Sequence, residues 1–172
     1  MKYFKVEMFE PLFKLLEKCK YVDQEEEHHP EGDVLNHSMQ CFRHALRETN
    51  DFDIILAALF HDIGKTIESY GHEKHSEELC ENYLTPKAVW LIGNHMKARH
   101  FIDGDTTKVS KIRELGEHPW FGDLMWLVRI DRKGRNGNRK LEFDREKVIT
   151  LLNNKIDDRF RDHRDRSEGN IE

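Results

Sequence analysis

The stretch IILAALFHDIGK, residues 54–65, places seven apolar residues directly before a histidine, an aspartate and a lysine. A run this apolar fits a buried helix capped by Asp51 or Asp53, and Gly64 fits its stop. The helix therefore carries His61 and Asp62 toward the interior. Burying such a pair costs free energy unless a hydrogen-bonding or charged partner meets it, and a metal ion is one such partner.

Working outward, nearly every other segment reads as helix. One is predicted from Glu7 to Tyr21, with Pro11 near its first turn and Leu12, Leu15, Leu16 and Cys19 as its apolar stripe. After the loop DQEEEHHPEGD, Asp33 caps a helix through about Glu48. HSEELCENYL is helical, Thr85 and Pro86 open the next helix over TPKAVWLIGNHM, and TTKVSKIRELG is a short amphipathic helix. Pro119 opens a further one to about Lys133, and a last runs from Asp144 to about Lys155. No alternating strand-like run of convincing length appears. The expected architecture is all-α: a single compact helical bundle over residues 1–156 with a charged, flexible C-terminal tail over 157–172.

Composition limits what the bundle does. The 172 residues are 35% charged and 37% hydrophobic with a net charge of -5, which fits a globular protein in water and argues against long duplex nucleic acid as a partner. The longest apolar run is too short for a membrane span and the N-terminus lacks a signal-peptide pattern, so a cytoplasmic location is expected. Cys19, Cys41 and Cys80 form no C-x-x-C pair and read as reduced, small buried hydrophobes.

His37, His61, Asp62 and Asp131 share a setting: each follows, or lies within, a strongly apolar helical face. Two imidazoles and two carboxylates suit manganese, iron, cobalt, nickel or zinc better than calcium, with magnesium also admitted. Asp62 is placed to bridge to a second ion held by His72 and His95, with His100 as a further candidate, so one or two ions are expected. Six of the twelve residues from Arg129 to Lys140 are basic. Beside Asp131 this points to phosphate capture by Arg132 and Arg135, with Lys65 neutralising charge. His29, in the loop, is expected to touch substrate. Isolated histidines such as His44 and His118 read as structural or solvated.

Five segments in order, HPEGDVLNH (29–37), AALFHDIGK (57–65), GHEKHS (71–76), LIGNH (91–95) and DRKGR (131–135), resemble the HD-domain superfamily of metal-dependent phosphohydrolases. They look most like the HD domain appended to bacterial tRNA nucleotidyltransferases, over about residues 28–136 and without the nucleotidyltransferase head. The resemblance implies a phosphohydrolase acting on small nucleotides or RNA ends, foremost as a 2′,3′-cyclic phosphodiesterase and phosphatase, by attack of a metal-activated water on phosphorus. Asp62 and Lys65 would be its catalytic residues. His75, His100 or a water would supply the proton to the leaving oxygen. Two other readings stand beside it: a (d)NTP triphosphohydrolase or nucleoside 5′-monophosphatase on the same site, and a non-catalytic nucleotide-binding module.

Overall fold

Helix α3 (Phe52–Phe60) runs through the middle of the molecule, and it is buried on every side except at Asp53. A helix apolar all round needs neighbours all round, and α2 (Val34–Glu48), α5 (Pro86–Ile102) and α7 (Phe121–Lys133) supply them. The computed structural model describes residues 6–25, 27–105 and 109–168. Among these the remaining α-helices are α1 (Glu10–Lys18), α4 (His72–Cys80), α6 (Val109–Gly116) and α8 (Arg145–Glu168), and no strand is present. The all-α expectation holds.

Local chemistry explains most boundaries. Asp51, rather than Asp53, caps α3 by accepting from the backbone N–H groups of Asp53 and Ile54. Asp53 instead accepts a 2.6 Å hydrogen bond from the Thr85 hydroxyl, tying the starts of α3 and α5 together. Thr85 also caps α5. The expected first helix is broken into a 3-10 turn (Val6–Phe9), α1 and a second 3-10 turn (Cys19–Tyr21), with Pro11 in the first turn of α1. Phe13 of α1 meets Phe60 edge to face at 5.8 Å, fastening this segment to the end of α3.

Four element boundaries depart from expectation, the first three of them at the site. Helix α3 stops at Phe60 and the HD segment passes through a 3-10 turn (Ile63–Thr66). Gly64 is needed there for close approach: a Cβ would fall 2.2 Å from the His72 carbonyl oxygen and 2.6 Å from the Ser76 nitrogen. Helix α4 begins at His72, earlier than expected, and α5 continues to Ile102, which adds Arg99 and His100 to the helix bearing His95. Helix α8 continues past Lys155 through Glu168, so the charged segment from 157 to 168 follows a helical path, and 169–172 lie outside the described residues.

Candidate metal centre

The C-terminal end of α3 points at the junction of α2, α4, α5 and α7, and each contributes a side chain there. His37 comes from α2, His61 and Asp62 follow α3, His72 opens α4, His95 lies on α5 and Asp131 in the last turn of α7. All six are buried, none more than 5% exposed. A helix C-terminus carries partial negative charge, which favours a cation at this point.

The four imidazoles are oriented alike. Nδ1 of His61 donates to the Ala58 carbonyl (3.1 Å), that of His95 to Ile92 (2.7 Å), and that of His72 to Ser69 (2.9 Å). Nδ1 of His37 faces the Glu31 carboxylate at 2.7 Å. With every Nδ1 committed, every Nε2 is turned inward as a potential ligand. Nε2 of His37 lies 3.0 Å from Asp131 Oδ1 and 3.7 Å from Asp62 Oδ2, and Nε2 of His61 lies 3.6 Å from Asp62 Oδ2 and 3.8 Å from Asp131 Oδ1. On the far side of Asp62, its Oδ1 stands 2.9 Å from Nε2 of His72 and 3.7 Å from Nε2 of His95, and those two nitrogens are 3.3 Å apart. Asp62 thus presents one oxygen to each of two pairs of imidazoles.

Two features test whether a metal suits this arrangement. Nε2 of His61 is buried with no hydrogen-bond partner, an unmet polar atom that costs free energy unless a ligand satisfies it. The Nε2 atoms of His72 and His95 face each other with both Nδ1 positions used, which sets lone pair against lone pair unless a cation or proton lies between. The donor set of imidazole nitrogens and carboxylate oxygens is chemically apt for a divalent ion. The buried cluster can hold one.

Charge is arranged to match. Burial pushes the Asp62 carboxyl up, but His61, Lys65 and His72 prevail and hold it well below the usual carboxylate range. Asp131 is held well below as well, burial being overcome by the hydrogen bond from His37 and the nearby imidazoles of His37 and His61. For Glu31, burial is outweighed by hydrogen bonds from His29 and His37, and its pKa falls to about 2. Burial, aided by the charge of His61, lowers His95 to about 3, so its imidazole is neutral and ready to ligate. His72 goes the other way, burial being overcome by Asp62.

The cluster opens into a pocket of about 510 Å³. Lys65 reaches it with Nζ 2.7 Å from both Asp62 Oδ2 and Gln24 Oε1. His29 lies on its wall, bonded to Glu31 at 2.9 Å. His100 is on the wall too, half exposed with Nδ1 3.4 Å from Asp105, and does not join the converging ligand atoms. The basic turn after Asp131 is placed differently from its sequence-based expectation. Arg132 is drawn into a close ion pair with Asp103 and Lys133 pairs with Glu48 at 2.7 Å, both at the surface. Arg135 has Nη2 3.5 Å from Asp131 Oδ1, the oxygen that also faces His37 and His61, and it does not line the pocket.

Sequence reasoning missed three members. Arg99 is the wall's arginine, with Nη1 3.5 Å from Asp131 Oδ2, and its position one turn after His95 on the same helix face was the available signal. Glu31 orients His37 and appears in sequence only as one acid of an acidic loop. Cys41 lies one turn after His37, its sulfur 3.5 Å from His37 Nε2.

A family description for the HD domain matches residues 34–149. A multifunctional CCA protein of Herminiimonas arsenicoxydans is 39% identical over 67 residues, covering 35% of this chain and 16% of that protein. A multifunctional CCA protein of Variovorax paradoxus (strain S110) is 26% identical over 152 residues, or 76% of this chain and 36% of the relative. The chain therefore spans about a third or less of these curated relatives.

Proposed function

The chain belongs to the HD domain family, and from that premise we propose that it is a metal-dependent phosphohydrolase of small nucleotides or RNA ends, acting foremost on 2′,3′-cyclic phosphates. The observation that carries this reading is the double engagement of Asp62, one oxygen toward His37 and His61 and the other toward His72 and His95. Divalent ions bound there, drawn from manganese, nickel, cobalt, iron or zinc, would supply the Lewis acidity that activates water and drains charge from phosphoryl oxygens.

The chain's own residues account for the rest. Lys65 and Arg99, both on the pocket wall, are the cations that neutralise charge developing on the phosphate. Arg99 is suited to a forked contact with two phosphoryl oxygens, and Lys65 acts as a point charge. His100, exposed on the wall, is placed to protonate a leaving oxygen, whereas His75 packs against Gly64 away from the wall. Asp23, Glu25, Asp103 and Asp105 around the pocket repel an extended polyanion, which favours a small substrate or a single chain end over a duplex. The preference for cyclic phosphates rests on the resemblance to nucleotidyltransferase-associated HD domains and on relatives named as multifunctional CCA proteins.

The test is a panel of 2′,3′-cyclic, 3′,5′-cyclic, 2′-, 3′- and 5′-monophosphate nucleosides and (d)NTPs, incubated with metal-stripped protein and each metal in turn. Metal-dependent opening of 2′,3′-cyclic substrates is expected. Turnover of (d)NTPs alone would replace this substrate class with triphosphates. Tight binding of one nucleotide without turnover would make the chain a binding module.

A further inference from the structure

Cys41 is unused by the chemistry above, yet its sulfur does not sit like a bystander in a core. Its Sγ stands 3.5 Å from Nε2 of His37 and 4.0 Å from the Asp131 carbonyl oxygen. Gly134 leaves it that seat, since a Cβ at 134 would fall 2.3 Å from Sγ. The sulfur and one ligand atom from each of His37, His61 and Asp131 all lie within 4.8 Å of one another. Into this group points Nε2 of His61, 1% exposed and without a hydrogen-bond partner. With metal–nitrogen bonds of about 2.1 Å and metal–sulfur bonds of about 2.3 Å, nitrogen and sulfur on one tetrahedral ion stand roughly 3.6 Å apart. The separation between His37 and Cys41 agrees with that spacing.

We propose that Cys41 is a thiolate ligand to the ion held by His37, His61 and Asp131. The inference rests on the metal reading above and adds selectivity to it. A set of two imidazoles, one carboxylate and one thiolate favours zinc, cobalt and other thiol-seeking ions and disfavours magnesium, which takes oxygen ligands in near-octahedral array. On binding, the sulfur–hydrogen bond is replaced by a sulfur–metal bond and the proton leaves to the buffer.

Cobalt(II) titration of the metal-stripped full chain, followed by absorption, tests this without reference to turnover. The parent protein should show visible cobalt d–d bands together with a near-ultraviolet sulfur-to-cobalt charge-transfer band. Cys41→Ser should keep the d–d bands and lose the charge-transfer band. Its zinc affinity, measured by chelator competition, should fall by at least the roughly 10- to 100-fold that removal of an outer-shell partner costs. Because the chain has three cysteines, a Cys19→Ser, Cys80→Ala double variant that retains the band assigns it to Cys41 even if Cys41→Ser fails to fold. Loss of the band in that double variant overturns the proposal, as do d–d bands without charge transfer in the parent, which would leave the metal reading standing. No cobalt spectrum at all would overturn both.

Discussion

Oδ1 of Asp62 lies 2.9 Å from Nε2 of His72, on the opposite side of the carboxylate from His37 and His61. A single aspartate between two pairs of imidazoles predicts two ions per chain by elemental analysis after reconstitution. The double variant His72→Ala, His95→Ala should retain about one, because the donors around His37 and His61 are untouched. One ion in the parent would return His72 and His95 to a structural or substrate-contacting role.

Much of this centre was legible because its ligands interrupt apolar helical faces. His61, Asp62 and Asp131 stand out for that reason, and periodicity placed α2, α3, α5 and α7 well enough to bring them together. What escaped depends on tertiary direction. The sequence shows Arg132 and Arg135 beside Asp131, but only the fold turns Arg132 to Asp103 and brings Arg99 to the pocket. Cys41 looked like any small buried residue until α7 was seen to approach it through Gly134. Likewise Glu31 gains its role only when the loop folds back, its ends paired at Asp23 and Asp33, to meet His37.

The metal-free protein should have a distinctive pH profile. Glu31 is depressed from 4.5 to about 2, so its contribution to stability is complete above pH 4.5 and lost as pH falls toward 2. For His37, burial is outweighed by Cys41, Asp131 and Glu31, and its pKa lies well above 6.5. Its contribution is complete below pH 6.5 and is lost as pH rises through the raised value. His95, lowered to about 3, works against low pH as well, its contribution being complete above pH 6.5 and lost as pH falls toward 3. Thermal denaturation without metal should therefore show its highest midpoint near pH 6.5, and added zinc should stabilise increasingly above it as His37 gives up its proton. A melting temperature of metal-free protein that climbs steadily above pH 6.5 would contradict these assignments.

Among the basic residues, the pocket geometry ranks Lys65 and Arg99 above Arg132. Lys65→Ala should keep its metal and lower kcat by roughly ten- to thousand-fold, the loss typical of one charge-stabilising donor. Arg99→Ala should reduce kcat/KM, while Arg132→Ala, whose guanidinium is paired with Asp103 at the surface, should leave steady-state kinetics unchanged. Steady-state kinetics of the three variants on one substrate decide the order, and a defect confined to Arg132→Ala would restore the basic turn as the phosphate site.

Phosphoester hydrolysis by the parent protein and by Asp62→Ala, each stripped with chelator and then resupplied with metal, addresses the central claim most directly. The stripped parent should be inactive and recover with a divalent transition metal. Asp62→Ala should stay inactive under both conditions with its helical circular dichroism intact, since it loses an oxygen to each ion and little of the core. Hydrolysis by stripped protein, or by folded Asp62→Ala at the parental rate, would contradict the account.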